Sequence, residues 1–342
     1  MTGTPQDLPR WKKCVSFSDD AIGEALARPF VARTFGPEGK QTTSEMVAEI
    51  EKAFEANLGT LDWMDAPTKA RALEKLRKIY NKIGYPDHWR SYDKLAVDRG
   101  SFLDSLLNAE AFEKARVLDK IGKPVDRTEW GMTPPTVNAY YSPLLNEMVF
   151  PAGILQPPYF DRAAGFPVNF GAIGMVVGHE ATHGFDDEGR QFDPEGNLHE
   201  WWTPASDEAF RAKASCVERQ YASEIAIDDI HLNGKLTLGE NIADLGGIKL
   251  AYLAMKDYAA KNPPLSPSRF TPEQQFFLGF AQSWCTKQRP EFSRVRAVTD
   301  SHSPPFLRVN VPLRNFAPFA EAWHCGAGKP MAMPAAQRCE VW

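Results

Sequence analysis

Apolar residues recur at helical spacing through most of the chain, and the exceptions are short. After Thr43-Ser44-Glu45, the residues Met46, Ile50, Phe54 and Leu58 fall on one face and predict an amphipathic helix. A second helix is expected from about Ala66-Pro67-Thr68, because proline is tolerated in a first turn. It runs through Leu73, Leu76 and Ile79 and breaks at Gly84-Tyr85-Pro86. A third covers about Ser101 to Leu118. From Val125 prolines and aromatics cluster, and residues 137–142 and 146–150 read as two extended strands with a turn at Ser142-Pro143. Helical spacing returns at Phe170, Ile173, Val176 and Val177, with Asn169 placed to cap and Gly184 to stop. A loop rich in Gly, Asp and Asn (186–200) leads to helices over about Pro204–Ile225, Thr237–Lys261 (stopped by Pro263-Pro264) and Pro272–Lys287. The tail from Arg289 to Trp342 reads as loop-rich, with a short helix near Pro318–Trp323. The pattern predicts a mainly α chain with a small β-sheet (α+β), divided near residue 105 into a helical part, 1–105, and a mixed part, 106–342.

The chemistry concentrates in one of these helices. His179-Glu180-Ala181-Thr182-His183 sets two imidazoles four residues apart, one turn from each other on one face. Such a pair holds a single borderline-soft cation, and zinc suits it. Glu180 projects about 100° around the axis from His179, where a carboxylate takes a proton from water instead of ligating. Gly171, Gly174 and Gly178 each disfavour a helix by roughly 1 kcal/mol against Ala, a weak point that a buried helix packed tightly against its neighbours could tolerate; the alternative is a buried helix with two incidental histidines.

A catalytic zinc site needs a third protein ligand and an open position. Glu240 is the candidate, with Asp244 one turn further along the same face to orient a ligating imidazole. Thr237 to Glu240 also fits a capping box, which explains the same glutamate structurally, and Asp186, Asp187 and Glu188 compete by proximity. Spacing leaves that choice open.

Length and composition narrow the class without adding to the site. The 342 residues suffice for two domains, and 43% hydrophobic with 24% charged residues is ordinary for a globular chain. A net charge of −5 argues against a nucleic-acid surface. No apolar run approaches a membrane span, and the first residues lack the apolar stretch of a signal peptide. The five cysteines, Cys14, Cys216, Cys285, Cys325 and Cys339, show no CxxC spacing.

Several separated stretches together resemble the neprilysin / endothelin-converting enzyme family of zinc endopeptidases. They are 137–141 (Val-Asn-Ala-Tyr-Tyr), 150–158, 178–193 around the metal motif, 239–247 (Gly-Glu-Asn-Ile-Ala-Asp-Leu-Gly-Gly) and the terminal Cys339-Glu340-Val341-Trp342. The resemblance implies a thermolysin-like gluzincin catalytic domain with part of a helical cap, and one Zn2+ per chain held by His179, His183 and Glu240. It implies Glu180 as general base, Asp244 as orienting carboxylate and His302 as the oxyanion's partner. For the peptide it implies the strand at Asn138 and Ala139, Arg308 on a backbone carbonyl, and an apolar pocket including Met175, Val176 and Trp284. It also implies a Cys216–Cys339 disulfide, an oxidising extracytoplasmic compartment, and oligopeptide substrates cut before hydrophobic residues. Relatives of this kind are about twice as long, so Cys14, Cys285 and Cys325 would match partners in an N-terminal half outside this chain. The expected function is therefore a zinc metalloendopeptidase, or a zinc- and peptide-binding fragment with little turnover that needs that half as a partner.

Overall fold

A computed structural model describes residues 3–262 and 268–342. Three helices come first: α1 (Arg10–Thr34), α2 (Gly36–Thr60) and α3 (Ala66–Arg77). Strand β1 (Tyr80–Gly84) and helix α4 (Phe102–Leu118) follow, then a hairpin of β2 (Tyr140–Ser142) and β3 (Glu147–Pro151). Helix α5 (Phe166–Asn169) runs through a π-helical turn (Phe170–Gly174) into α6 (Met175–His183). The rest is α7 (Pro204–Ala222), the small hairpin of β4 (Ile225–Ile227) and β5 (Ile230–His231), α8 (Leu238–Lys261), α9 (Pro272–Ser283), α10 (Pro290–Thr299), α11 (Pro305–Asn315) and α12 (Ala317–Ala322). The expected stop at Pro263-Pro264 lies outside the described residues.

The main sheet has the order β1-β3-β2, with β1 parallel and β2 antiparallel to β3. β3 is buried along its whole length. Inside this sheet Lys82 and Glu147 form a buried ion pair at 2.6 Å, and the Lys82 ammonium also donates to the Glu129 carbonyl. A buried pair of this kind tolerates loss of neither partner alone. β2 is left as an edge, and that edge borders the main cleft.

Helices α6 and α8 form the centre and cross where Gly178 meets Gly247. A Cβ on Gly247 would lie 2.7 Å from the Met175 carbonyl oxygen and 2.8 Å from the His179 nitrogen. Gly171 lies as closely against the Phe276 backbone of α9. The helix therefore keeps its glycines because its neighbours occupy the space of their missing side chains.

Helix α2 lays Met46, Ile50, Phe54 and Leu58, all buried, against α8 and α6. Phe54 continues into an aromatic cluster with Phe185 and Trp342, which Trp63 and Phe210 extend. The Cys216–Cys339 disulfide fastens the tail to α7, as the resemblance implies. Thus α2, α3 and β1, placed in the helical part by the expected division at 105, share one core with the residues beyond it. No helix among the described residues is long and apolar enough to cross a membrane.

Several local expectations change. β1 occupies the stretch read as a helix end, because Lys82, turned inward to Glu147, disguises a buried strand. Asn169 does not cap: it lies within a helical run already started at Phe166, and its side chain clasps Asp161 backbone groups instead. In the tail, α10 and α11 occupy a stretch read as loop, α12 answers the expected short helix, and the residues after it are loop apart from a 3-10 turn at Ala335–Gln337. Pro290, Pro305 and Pro318 are first-turn residues of α10, α11 and α12, where a missing N–H is harmless.

Candidate active site

The cleft of about 740 Å³ is floored by α6 and walled by α8, the β2 edge, and the loop between α10 and α11. On α6 the His179 and His183 rings stand edge to face, with their Nε2 atoms 3.0 Å apart. From α8 the Glu240 carboxylate reaches both, 3.3 Å from His179 Nε2 and 3.6 Å from His183 Nε2. Donors bonded to one tetrahedral zinc at about 2.0–2.1 Å sit about 3.3 Å from each other, so these separations fit. Among the described residues the buried Glu240 Oε2 atom has no hydrogen-bond partner, and the Arg308 guanidinium comes only to 3.4 Å, so it keeps acceptor capacity that a bound cation would satisfy. The capping box is not formed: Thr237 donates to the Asn233 carbonyl and makes no side-chain cap bond, leaving Glu240 to the cleft.

Charge around the cluster agrees with this fit. Burial works against the His179 imidazolium, but Asp244 and Glu240 outweigh it and raise its pKa to about 10. Burial likewise opposes the Glu240 carboxylate, yet His179, His183 and Arg308 hold its pKa well below the usual range. A surplus of carboxylate around two imidazoles is a field that attracts positive charge.

Each imidazole is oriented from behind. Asp244 Oδ1 lies 2.9 Å from His179 Nδ1, and Asp186 Oδ2 lies 2.6 Å from His183 Nδ1. The Glu188 and Gly189 N–H groups donate to the other Asp186 oxygen, so a tight loop fixes that carboxylate. Lys75 pins the same loop from below, its ammonium donating to the Gly189 and Phe192 carbonyls at 2.7 Å among the rings of Tyr141, Phe185 and Trp201. Asp186 is therefore a supporting carboxylate, not the third donor its position in sequence allowed.

Glu180 lies beside the two imidazoles, its ligand atom within 4.8 Å of theirs. Its carboxyl has no hydrogen-bond partner among the described residues, and burial pushes its pKa up, as suits a base. His302 approaches from the α10–α11 loop, with Nε2 3.2 Å from Glu240 Oε1 and Nδ1 held by Asp300 at 2.8 Å. Arg308 is buried and grips Asp244 with two bonds, at 2.8 and 2.7 Å, while its guanidinium stacks on Trp284. Met175, Val176 and Trp284 line the cleft, and Asn138 and Ala139 lead into β2 at its edge.

All the residues expected from sequence thus converge on one cleft. Sequence reasoning missed the orienting roles of Asp186 and Asp300, and Arg296, which binds Asp300 at 2.6 Å. The signal for Asp186 was its place three residues after His183. Arg296 and Asp300 could be related only once α10 was known to be a helix, where they stand one turn apart.

A His-Glu-x-x-His helix set in a mainly helical fold with a small mixed sheet defines the gluzincin-type catalytic fold, and its His-Glu-His cluster matches a single zinc site. More narrowly, the chain belongs to peptidase family M13, whose profiles match residues 138–341 and 1–86. It is 45% identical to human (Homo sapiens) endothelin-converting enzyme 1, over 100% of this chain and 46% of that protein. It is 41% identical to neprilysin-3 of Drosophila melanogaster, over 97% of this chain and 43% of that protein. The fold superposes on Mycobacterium tuberculosis zinc metalloprotease ZMP1, solved in complex with an inhibitor, with a TM-score of 0.93 and 40% identity, covering 100% of this chain and 52% of that one. The chain spans about half the length of these relatives.

Proposed function

We propose that this chain is the catalytic portion of a zinc metalloendopeptidase that hydrolyses oligopeptides on the amino side of hydrophobic residues. The observation that carries the reading is the triangle of His179, His183 and Glu240 donors, at 3.0, 3.3 and 3.6 Å, with the unshared Glu180 carboxyl beside it. Zinc bound there supplies Lewis acidity to the scissile carbonyl and to water. Glu180 takes the water proton and returns it to the leaving amine. His302, steadied at Nδ1 by Asp300, turns Nε2 toward the cleft and donates to the developing oxyanion. Arg308, held by Asp244, keeps Nη1 without a partner among the described residues, a donor for a substrate carbonyl. The substrate lies extended along Asn138 and Ala139, adding a strand beyond β2. Met175, Val176 and Trp284 receive the hydrophobic side chain after the scissile bond.

A second reading is a zinc- and peptide-binding unit that turns over little until another segment completes it. It is favoured by the apolar side chains that α1 and α4 leave exposed, including Trp11, Val15, Phe17, Phe102, Leu103 and Leu107. Residues 1–105 then belong to a helical cap, and the full enzyme works in an oxidising extracytoplasmic compartment, which suits the Cys216–Cys339 bond.

Zinc content and turnover of a quenched hydrophobic peptide, measured on the wild type and Glu180→Gln, test both readings. One zinc per chain in each protein, with turnover lost by at least about a thousandfold in the variant, supports the peptidase. One zinc without turnover in either points to the binding unit. No zinc refutes Glu240 as a ligand.

A further inference from the structure

A second cavity, of about 560 Å³, opens beside the catalytic cleft and shares Trp284, Arg296 and His302 with it as a common wall. Among the described residues its lining contains no carboxylate, and apart from His302 its one charged residue is Arg296. Other donors line the same cavity. Gln288 accepts from the Ser293 hydroxyl through Oε1, which leaves its amide N–H groups free among the described residues. Asn310 lines the same space, and the buried Trp284 indole N–H has no partner among the described residues. The main cleft is the opposite, lined by Glu180, Asp186, Glu188, Glu240 and Asp300.

Arg296 itself is half used. Its Nε donates to Asp300 Oδ2 at 2.6 Å, and both terminal amino groups have no hydrogen-bond partner among the described residues. The other arginine of the cleft, Arg308, is committed to Asp244 and buried, whereas the Arg296 side chain keeps 29% of its surface open. A guanidinium with a free pair of N–H groups is shaped for bidentate capture of a carboxylate.

We propose that this annex is a carboxylate-binding subsite of the peptide cleft, anchored by Arg296. It takes an acidic side chain or the free C-terminus of the peptide and so selects among substrates that share the same hydrophobic residue. The proposal rests on the peptidase reading and adds a specificity that the metal motif does not supply. Arg296 is also a positioning residue for His302 through Asp300, and the test must separate the two roles.

Zinc-loaded Glu180→Gln chain, which is expected to hold peptides without cutting them, is titrated with fluorescein-labelled hexapeptides. Each carries one Phe and a single Asp moved through the remaining positions, with Asn at the same place as its neutral match. A parallel pair differs only in a free or amidated C-terminus. At one Asp position, or with the free terminus, binding tightens on the order of tenfold over the neutral match. That arm also identifies the source of the carboxylate. The difference disappears when Arg296→Gln is added and returns in part with Arg296→Lys. If no acid tightens binding, or if the gain survives Arg296→Gln, the subsite is wrong. A drop shared equally by acidic and neutral peptides leaves Arg296 only its Asp300 contact and overturns the proposal too. Wild-type turnover of the neutral peptide, measured separately, reports on the peptidase reading alone.

Discussion

A hydrogen atom at Gly247 sets the distance between the two helices that carry the metal motif and Glu240. Any side chain there meets the Met175 carbonyl and the His179 backbone, so α8 must retreat from α6. Gly247→Ala is expected to destabilise the fold by about 1–3 kcal/mol, the usual range for overpacking. It should also weaken zinc binding more than Gly59→Ala, where a Cβ meets nothing within 4 Å. Competition with a chromogenic chelator measures this, and equal zinc affinity in the two variants would refute it. The residues of the motif were plain in the sequence because their spacing is itself the geometry, one helical turn. Glu240 was not, since a capping box and a metal ligand call for the same residue. Only the Thr237 hydroxyl's choice of the Asn233 carbonyl settles that the cap is unused.

At the level of elements, the sheet depends on a charge inside it. Lys82 of β1 and Glu147 of β3 are both buried, and the parallel register pairs Tyr80 with Glu147. Lys82→Met should cost about 3–5 kcal/mol, because Glu147 is then left buried without its counter-charge. Replacing both, as Lys82→Met with Glu147→Leu, should recover a substantial share of the loss. Urea denaturation of the single and double variants decides; a single variant within about 1 kcal/mol of wild type would mean that water reaches the glutamate. This pair also explains why β1 was illegible. A lysine in the middle of Tyr80–Gly84 reads as solvent-facing, and its partner lies in another element 65 residues on. Helices α10 and α11 escaped for a related reason, since proline marks a helix start and a loop equally well. The α2 face was readable because its apolar residues follow the helical period, although Thr43 and Asn57 of α2, like Asn241 and Asp244 of α8, are buried too.

Across the whole molecule, the order along the chain and the order in the core differ. Helix α2 and strand β1 come before residue 105, yet they share the core with α6, α8 and β3. No local pattern announces that, because a parallel strand pair has no turn to betray it. The Cys216–Cys339 disulfide closes a loop with a sequence separation of 123. Cys216→Ser with Cys339→Ser should therefore reduce stability by about 2–4 kcal/mol. Zinc binding at the proposed donors His179, His183 and Glu240 should persist in the folded fraction. Thermal unfolding with and without reductant checks this: an unchanged melting temperature would show that the aromatic cluster alone retains the tail.

That cluster has a bearing on how the protein is made. Trp342 packs against Phe54 and Phe185, and its carbonyl accepts from Lys249. A chain leaving the ribosome has exposed every residue of the metal cluster long before Trp342 clears the exit tunnel. The wall behind Phe185, two residues past His183, is completed only then. A finished cleft therefore waits for Trp342, and a chain stopped short of it carries the catalytic letters without the vessel that lets them act.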